Sequence, residues 1–225
     1  MENWGLQLPY PLQMSPPKCP ILTTFLLSNC RITSIPEGFF KHMHALKILD
    51  LSRNPIMSLP ISMANLKNLT ALLLWGEELH GLKKLEILKG IFYDLQSFNI
   101  YVQSLHYQEE PREYVIHVGK MGCRNAIYSR KYIELCGCDF YINQIMLPPN
   151  IEELCIEECY LHCREEDLLF SKFIKVPLPT FASLKFLYIH RCKNIKKLFS
   201  ANCVPANLQG LWVTECDELE EIIAS

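Results

Sequence analysis

The chain has 225 residues, of which 49% are hydrophobic and 20% are charged, so it has ample apolar material for a core. The formal net charge is -2, and this argues against a protein that binds nucleic acid or a membrane surface, because such proteins typically have an excess of basic residues. The sequence shows neither a secretion signal nor an apolar stretch of bilayer-spanning length. Eleven cysteines without a secretion signal indicate reduced thiols, and we therefore expect a cytoplasmic protein.

One sequence pattern recurs along the chain. An apolar residue is followed by apolar residues three and five positions later, and by Cys, Asn or Gly eight positions later. The first copy has Leu22, Phe25, Leu27 and Cys30. The other copies begin at Leu46, Leu69, Ile151, Leu184 and Leu208. Most steps between them fall in the range of roughly 20 to 29 residues that is typical of leucine-rich repeats.

The pattern is irregular around residues 76–130. One match runs from Leu82 through Leu85 and Ile87 to Gly90, but it begins only 13 residues after Leu69. Either a stretch is missing near 76–82 or the turn there is irregular, and the sequence leaves both readings open. Further strands are expected at Tyr114 and Ile116, before Gly119, and at Ile133 and Leu135, before Cys138.

These repeats predict an α/β leucine-rich-repeat solenoid, with a curved parallel sheet on its concave side and short helices, 3-10 turns and loops on its convex side. We expect an irregular segment over 1–18 and a repeat domain of about eight repeats over 19–225. Helical turns are expected over 36–43 and 59–65. In each strand the apolar residues face the core, while Asn54 or a Cys at the equivalent position satisfies buried backbone groups.

The residues between the core leucines face the opposite side of the sheet, where they form a surface suited to binding a protein. Aromatic side chains there are typical of interface anchors. The predicted contact residues are Asp50, Trp75, Tyr132, Glu134, Glu153, Glu157, Phe186, Tyr188, His190, Trp212, Thr214 and Glu215. Charge also alternates along the chain, from acidic (152–167) to basic (185–197) to acidic (215–221). These charged segments form either an ordinary solvated surface or a rim that orients a binding partner.

Other chemistry is not expected. Cys155, Cys159, His162 and Cys163 resemble a zinc site only in spacing, because the repeat register sends Cys155 and Cys159 to opposite faces. The same split separates Cys136 from Cys138. We find no phosphate-binding loop and no catalytic constellation. We therefore predict a protein that has no catalytic activity, cofactor or metal.

Several segments carry a family resemblance. They are 46–52 (LKILDLS), 58–62 (SLPIS), 65–75 (NLKNLTALLLW), 181–187 (FASLKFL) and 216–222 (CDELEEI). They resemble the leucine-rich-repeat region of plant intracellular disease-resistance proteins, which combine a coiled coil, a nucleotide-binding domain and C-terminal repeats. The resemblance spans the chain from about residue 19 to residue 223.

The resemblance implies that the repeats sense a pathogen effector or a guarded host protein. It also implies that they restrain the nucleotide-binding domain until that protein is recognised. Because the chain lacks a phosphate-binding loop and coiled-coil heptads, it resembles a fragment or a truncated member. Two alternatives stay open at this point. One is a substrate receptor of a ubiquitin ligase or another protein-binding scaffold, and the other is a fragment of an extracellular receptor.

Overall fold

The computed structural model describes residues 17–56, 59–75, 85–105, 110–120, 129–140, 144–160, 168–170, 174–175, 182–201 and 203–224. Its strands are β1 (Thr24–Leu26), β2 (Ile48–Asp50), β3 (Ala71–Trp75), β4 (Ile87–Phe92), β5 (Glu113–Gly119), β6 (Lys131–Cys136), β7 (Ile145–Met146), β8 (Glu153–Glu157), β9 (Ile174–Lys175), β10 (Phe186–His190), β11 (Lys197–Ser200), β12 (Gly210–Thr214) and β13 (Glu221–Ala224). A 3-10 helix spans Ile61–Asn65, and the helix α1 spans Leu95–Ser104.

Nine strands form one parallel sheet in the order β1-β2-β3-β4-β5-β6-β8-β10-β12. Strands that follow one another in the chain therefore lie next to one another in the sheet, as a stacked coil requires. The register is uniform, so that Ile133, Leu154, Leu187 and Leu211 form one row across four strands. Two short parallel pairs, β7-β9 and β11-β13, lie outside this sheet.

The apolar residues of every copy of the pattern meet in one continuous core. Leu49, Leu72, Leu154 and Leu187 are completely buried in it. Alternate residues of a strand point to opposite faces, so the residues between them form the other face of the sheet, which we call the concave face. The parallel solenoid expected from the repeats is thus confirmed.

An Asn or Cys follows the strand in the regular repeats and bonds the turn to its neighbour, and it is buried at Asn54, Cys138, Cys159 and Cys192. The amide of Asn54 donates to the carbonyl oxygens of Leu27 (2.6 Å) and Leu51 (2.9 Å), while its oxygen accepts from the backbone N–H of Cys30 and Ile32. The thiol of Cys159 donates to carbonyl oxygens of the preceding strand and of its own strand, as do Cys138, Cys192 and Cys216. The predicted equivalence of Asn and Cys at this position is confirmed.

The turn that brings this Asn or Cys inward uses a left-handed backbone. The residue just before it has φ near +55° in most copies, even where it is not glycine: Asn29, Arg53, Glu158, Arg191 and Glu215. Gly137 occupies the same position before Cys138, with a φ of 62°. The conformation costs about 1–2 kcal/mol for a residue with a side chain, and the buried hydrogen bonds of the next residue offset it.

The structure gives the register around 82–90, which the sequence left open, and it differs from the match that begins at Leu82. The structure places Leu88 opposite Leu72 and Gly90 opposite Leu74, so Leu85 rather than Leu82 begins this repeat. The physical reason lies in the core, where Leu88 is completely buried. Gly90 is required there, since a side-chain carbon at this position would come within 2.9 Å of the Leu74 carbonyl oxygen. The strands expected at Tyr114–Ile116 and Ile133–Leu135 are confirmed as β5 and β6.

Helix α1 fills the irregular region and was not predicted. Asp94 caps it by accepting a hydrogen bond from the backbone N–H of Ser97 (2.7 Å). Its apolar face carries Phe98 and Tyr101, whose rings pack at 5.6 and 5.5 Å from the ring of Phe92 in β4. Of the two predicted helical turns, 59–65 contains the 3-10 helix and 36–43 forms hydrogen-bonded turns.

The alternating charges stabilise the contact between neighbouring repeats. Arg191 pairs with Glu158 on one side (3.8 Å) and with Glu215 on the other (2.8 Å). The same pattern joins Lys185 to Glu152, Lys196 to Glu220 and Lys197 to Glu221. Because solvent screens exposed pairs of this kind, they support the stacking of the repeats without determining it.

Candidate protein-binding surface

The register of the sheet arranges the concave side chains in rows. One row has one residue on each of the neighbouring strands β5, β6, β8, β10 and β12. These residues are His117, Glu134, Cys155, Tyr188 and Trp212. A parallel row holds Tyr132, Glu153 and Phe186, and a third holds Glu157, His190 and Thr214. Most of the residues predicted for the contact surface therefore lie side by side on β6, β8, β10 and β12.

An aromatic cluster forms the exposed end of this surface. The rings of Tyr188 and Trp212 are stacked, with centroids 4.4 Å apart and planes inclined by 5°. Phe186 lies beside the indole, with centroids at 6.3 Å. Trp212 is 43% exposed on the last strand of the sheet. We call Phe186, Tyr188 and Trp212 the aromatic patch.

Gly210 makes the position of Trp212 possible. It lies on β12 opposite Phe186, and the indole of Trp212 covers it. A side-chain carbon at residue 210 would overlap the indole ring. The strand therefore needs glycine at this point for close approach of the ring rather than for an unusual backbone angle, and sequence reasoning missed this residue.

The middle of the concave face is closed to solvent. Tyr132, Glu134 and Glu153, which were predicted as contact residues, are all at most 1% exposed. Tyr132 forms a second buried cluster with Cys155 and Tyr188. A partner that binds the concave face cannot contact these buried side chains directly. Substituting one of them would therefore affect binding only through the aromatic patch that they support.

A polar edge borders the aromatic patch. Nδ1 of His190 lies 2.7 Å from the hydroxyl of Thr214, and Nε2 lies 4.0 Å from carboxylate oxygens of Glu157 and Glu215. Glu215 lies one residue beyond β12, in the turn, rather than in the strand row as predicted. The hydrogen bond from Arg191 holds the pKa of Glu215 below its ordinary value, so this carboxylate stays charged at neutral pH.

The first strands offer a different surface. Leu26 and Ile48 are exposed on the concave face at 64% and 38%. Asp50 accepts a hydrogen bond from the backbone N–H of Ser52 (2.9 Å), so it stabilises the turn after β2. Trp75 ends β3 opposite Ile91, and its side chain lies outside the described part of the chain.

The cysteine pairs lie as the register predicts. Cys155 lies on the concave face, whereas Cys159 is in the core and donates to backbone carbonyl oxygens. Cys136 and Cys138 are likewise separated, because the thiol of Cys138 points to the core. His162 and Cys163 lie outside the described residues. All nine cysteines that the structure describes are free thiols.

Comparison with known families agrees with this architecture. Residues 20–79 match the leucine rich repeat family. The fold is a leucine-rich-repeat solenoid. Such repeats are typically non-catalytic modules of protein interaction, so the match indicates a protein-binding module. Comparison with curated proteins finds no match to this chain. The helices within its described residues are all too short or too polar to cross a membrane.

Proposed function

We propose that this leucine-rich-repeat chain is the recognition module of a plant innate-immune receptor. In this proposal it senses a pathogen effector or a guarded host protein, and it restrains the receptor's nucleotide-binding domain without performing catalysis. The observation that carries the proposal is the stacked pair of Tyr188 and Trp212 at the exposed end of the concave face.

The aromatic patch has the properties of a binding hot spot. A few central aromatic residues supply most of the affinity in protein interfaces, often about 2 kcal/mol or more each. The stacked rings are held in place by the sheet below them, so little side-chain freedom is lost when a partner binds. Thr214 and Glu215 provide an exposed polar border beside the patch, as interfaces commonly have.

The resemblance to resistance proteins supplies the biological setting. The segments 46–52 and 216–222 support it, and the second segment lies directly after the turn that borders the aromatic patch. In the proposal the nucleotide-binding domain is therefore one partner, and the effector or guarded protein is the other. Free thiols at all nine described cysteines fit a reducing compartment, and we place the protein in the cytoplasm.

Capture by a nucleotide-binding domain tests the proposal. The bait is the tagged nucleotide-binding domain of a coiled-coil-class resistance protein, expressed together with the chain. The double variant Tyr188→Ala, Trp212→Ala should lower capture at least about tenfold, since losing two anchors costs more than 1.4 kcal/mol. The control is Ile61→Ala, which truncates a side chain that is 87% exposed on the 3-10 helix, away from the sheet.

Circular dichroism must show the same fold in all variants for the comparison to count. Equal capture of the double variant and the wild type would remove the concave aromatic patch from the interface. Failure of the bait to retain the wild-type chain would speak against the role in restraining the nucleotide-binding domain.

A further inference from the structure

Three side chains with metal-binding atoms converge on the concave face between β6 and β8. Glu134 and Cys155 lie directly opposite each other on these strands, and Glu157 follows Cys155 by two residues on the same face. One ligand atom from each lies within 4.8 Å of the other two. All three residues are buried, Glu134 completely.

Only half of the Glu134 carboxylate has a hydrogen-bond partner. Its Oε2 interacts with Nδ1 of His117, on the neighbouring strand β5. Its Oε1 is buried and makes no hydrogen bond. Buried polar atoms almost always have a hydrogen-bond partner, because leaving one without a partner costs free energy. A carboxylate oxygen of Glu134 belongs to the same group of atoms as the thiol of Cys155, and the carboxylate has an oxygen left without a hydrogen-bond partner, so the group points to a positively charged ligand.

The donor set indicates which ion would fit this group. One thiolate sulfur combined with carboxylate oxygens is a set that Zn²⁺ accepts, whereas Ca²⁺ and Mg²⁺ require oxygen ligands throughout. The ligand atoms around tetrahedral zinc are roughly 3–4 Å apart, so small side-chain rotations close the observed arrangement. We propose that Glu134, Cys155 and Glu157 bind one Zn²⁺ ion on the concave face of the sheet.

His117 is a positioning residue in this site. Carboxylates that bind metals are commonly held by a second hydrogen bond, and His117 holds Glu134 so that Oε1 is directed to the ion. Three protein ligands leave the fourth position to water, as in zinc sites that are not closed. The ion reaches the site from the side of Glu157 and His190, whose side chains are 11% and 13% exposed.

This site differs from the group with zinc-like spacing in the sequence, which consists of Cys155, Cys159, His162 and Cys163. In that group Cys159 is in the core, where it donates to backbone carbonyls, while Cys155 faces the other way. The proposal also does not depend on the aromatic patch binding a partner. A zinc ion bound here would stiffen β6 and β8, which lie next to β10 and its aromatic residues.

Zinc titration of the whole chain tests the site. Protein freed of metal by a chelator is titrated with ZnCl₂ in competition with a chromophoric chelator, and one ion per chain is expected. Cys155→Ser and Glu134→Gln should each weaken zinc binding by more than about 100-fold, and His117→Ala by about 10- to 100-fold, since it acts through Glu134. Cys192→Ser, which replaces a core thiol one strand away, is the matched control and should bind zinc like the wild type.

The coordination shell gives a second test that needs no variant to fold. X-ray absorption of the zinc-loaded wild type should show one sulfur at about 2.3 Å together with oxygen atoms at about 2.0–2.2 Å. A shell without sulfur, or one dominated by sulfur, would overturn the proposal. So would the absence of stoichiometric zinc binding, or zinc affinity that Cys155→Ser and Glu134→Gln leave unchanged.

Discussion

Replacing Asn54 with alanine should destabilise the solenoid strongly. The side chain makes hydrogen bonds to five backbone groups, and two of these groups, the N–H of Ile32 and the carbonyl of Leu51, are buried. A buried backbone group that loses its partner costs about 1–3 kcal/mol, whereas water can replace the bonds to the partly buried groups. We therefore expect Asn54→Ala to lower the free energy of unfolding by about 4 kcal/mol.

Two further variants define the physical origin of this loss. Asn54→Cys should cost about half as much, because a thiol can donate to carbonyl oxygens, as Cys159 does, but cannot replace the acceptor for the N–H of Ile32. Asn68→Ala is the control, since that exposed side chain makes one hydrogen bond, to the carbonyl of His44, and should cost less than about 1 kcal/mol.

Urea unfolding followed by far-ultraviolet circular dichroism measures these differences. Hydrogen exchange at the amide of Ile32 locates them, because this amide should lose protection in Asn54→Ala. A loss below about 1 kcal/mol for Asn54→Ala would refute the reasoning that buried turn groups depend on this side chain.

Three other predictions follow from single contacts. Gly210→Ala should displace the indole and change the fluorescence of Trp212 while the circular dichroism stays the same; an unchanged spectrum would contradict the proposed packing. Burial raises the pKa of Cys136 to about 12, so at pH 8 roughly one thiol in ten thousand is ionised. Alkylation of Cys136 should therefore be at least about 100-fold slower than alkylation of the exposed Cys30. Equal rates would show that the middle of the concave face is open to solvent. Leu187→Ala should lower the free energy of unfolding by about 2–5 kcal/mol, and a loss below 1 kcal/mol would argue against one continuous core.

The sequence is most informative where every repeat obeys the same constraint. A strand between two others must bury its alternate residues, so Leu49 and Leu154 could be assigned to the core from spacing alone. The buried turn must satisfy its backbone groups, which made Asn54 and Cys159 recognisable as equivalents. These constraints depend only on neighbours in the chain.

Sequence reasoning fails where a repeat departs from the pattern. A start at Leu85 puts Gly90 where an apolar residue is expected and Tyr93 where Cys, Asn or Gly is expected, so the pattern alone favours a start at Leu82. The choice is decided by the contact of Leu88 with the row of Leu72, which spacing does not reveal. Helix α1 carried a readable pattern, with Asp94 as its cap and apolar residues at helical spacing after it, but the repeat pattern itself contains no signal for a helix at this place.

The candidate site shows the same division. The alternation of β10 and β12 placed Phe186, Tyr188 and Trp212 on the concave face. It could not reveal that Tyr132 and Glu134 are buried there, because accessibility depends on side chains from neighbouring strands. The strand with Tyr114 and Ile116 implied that His117 faces the same side as Glu134, yet their contact required the register between β5 and β6.

Photo-cross-linking from the concave face tests the central claim of this account most directly. A photoreactive amino acid at position 212, in the chain expressed in plant cells, should form a discrete adduct with another protein that mass spectrometry identifies. The same amino acid at position 61, which is exposed away from the sheet, should not form that adduct. An adduct that forms equally well from position 61, or from position 61 alone, would contradict recognition by the concave face.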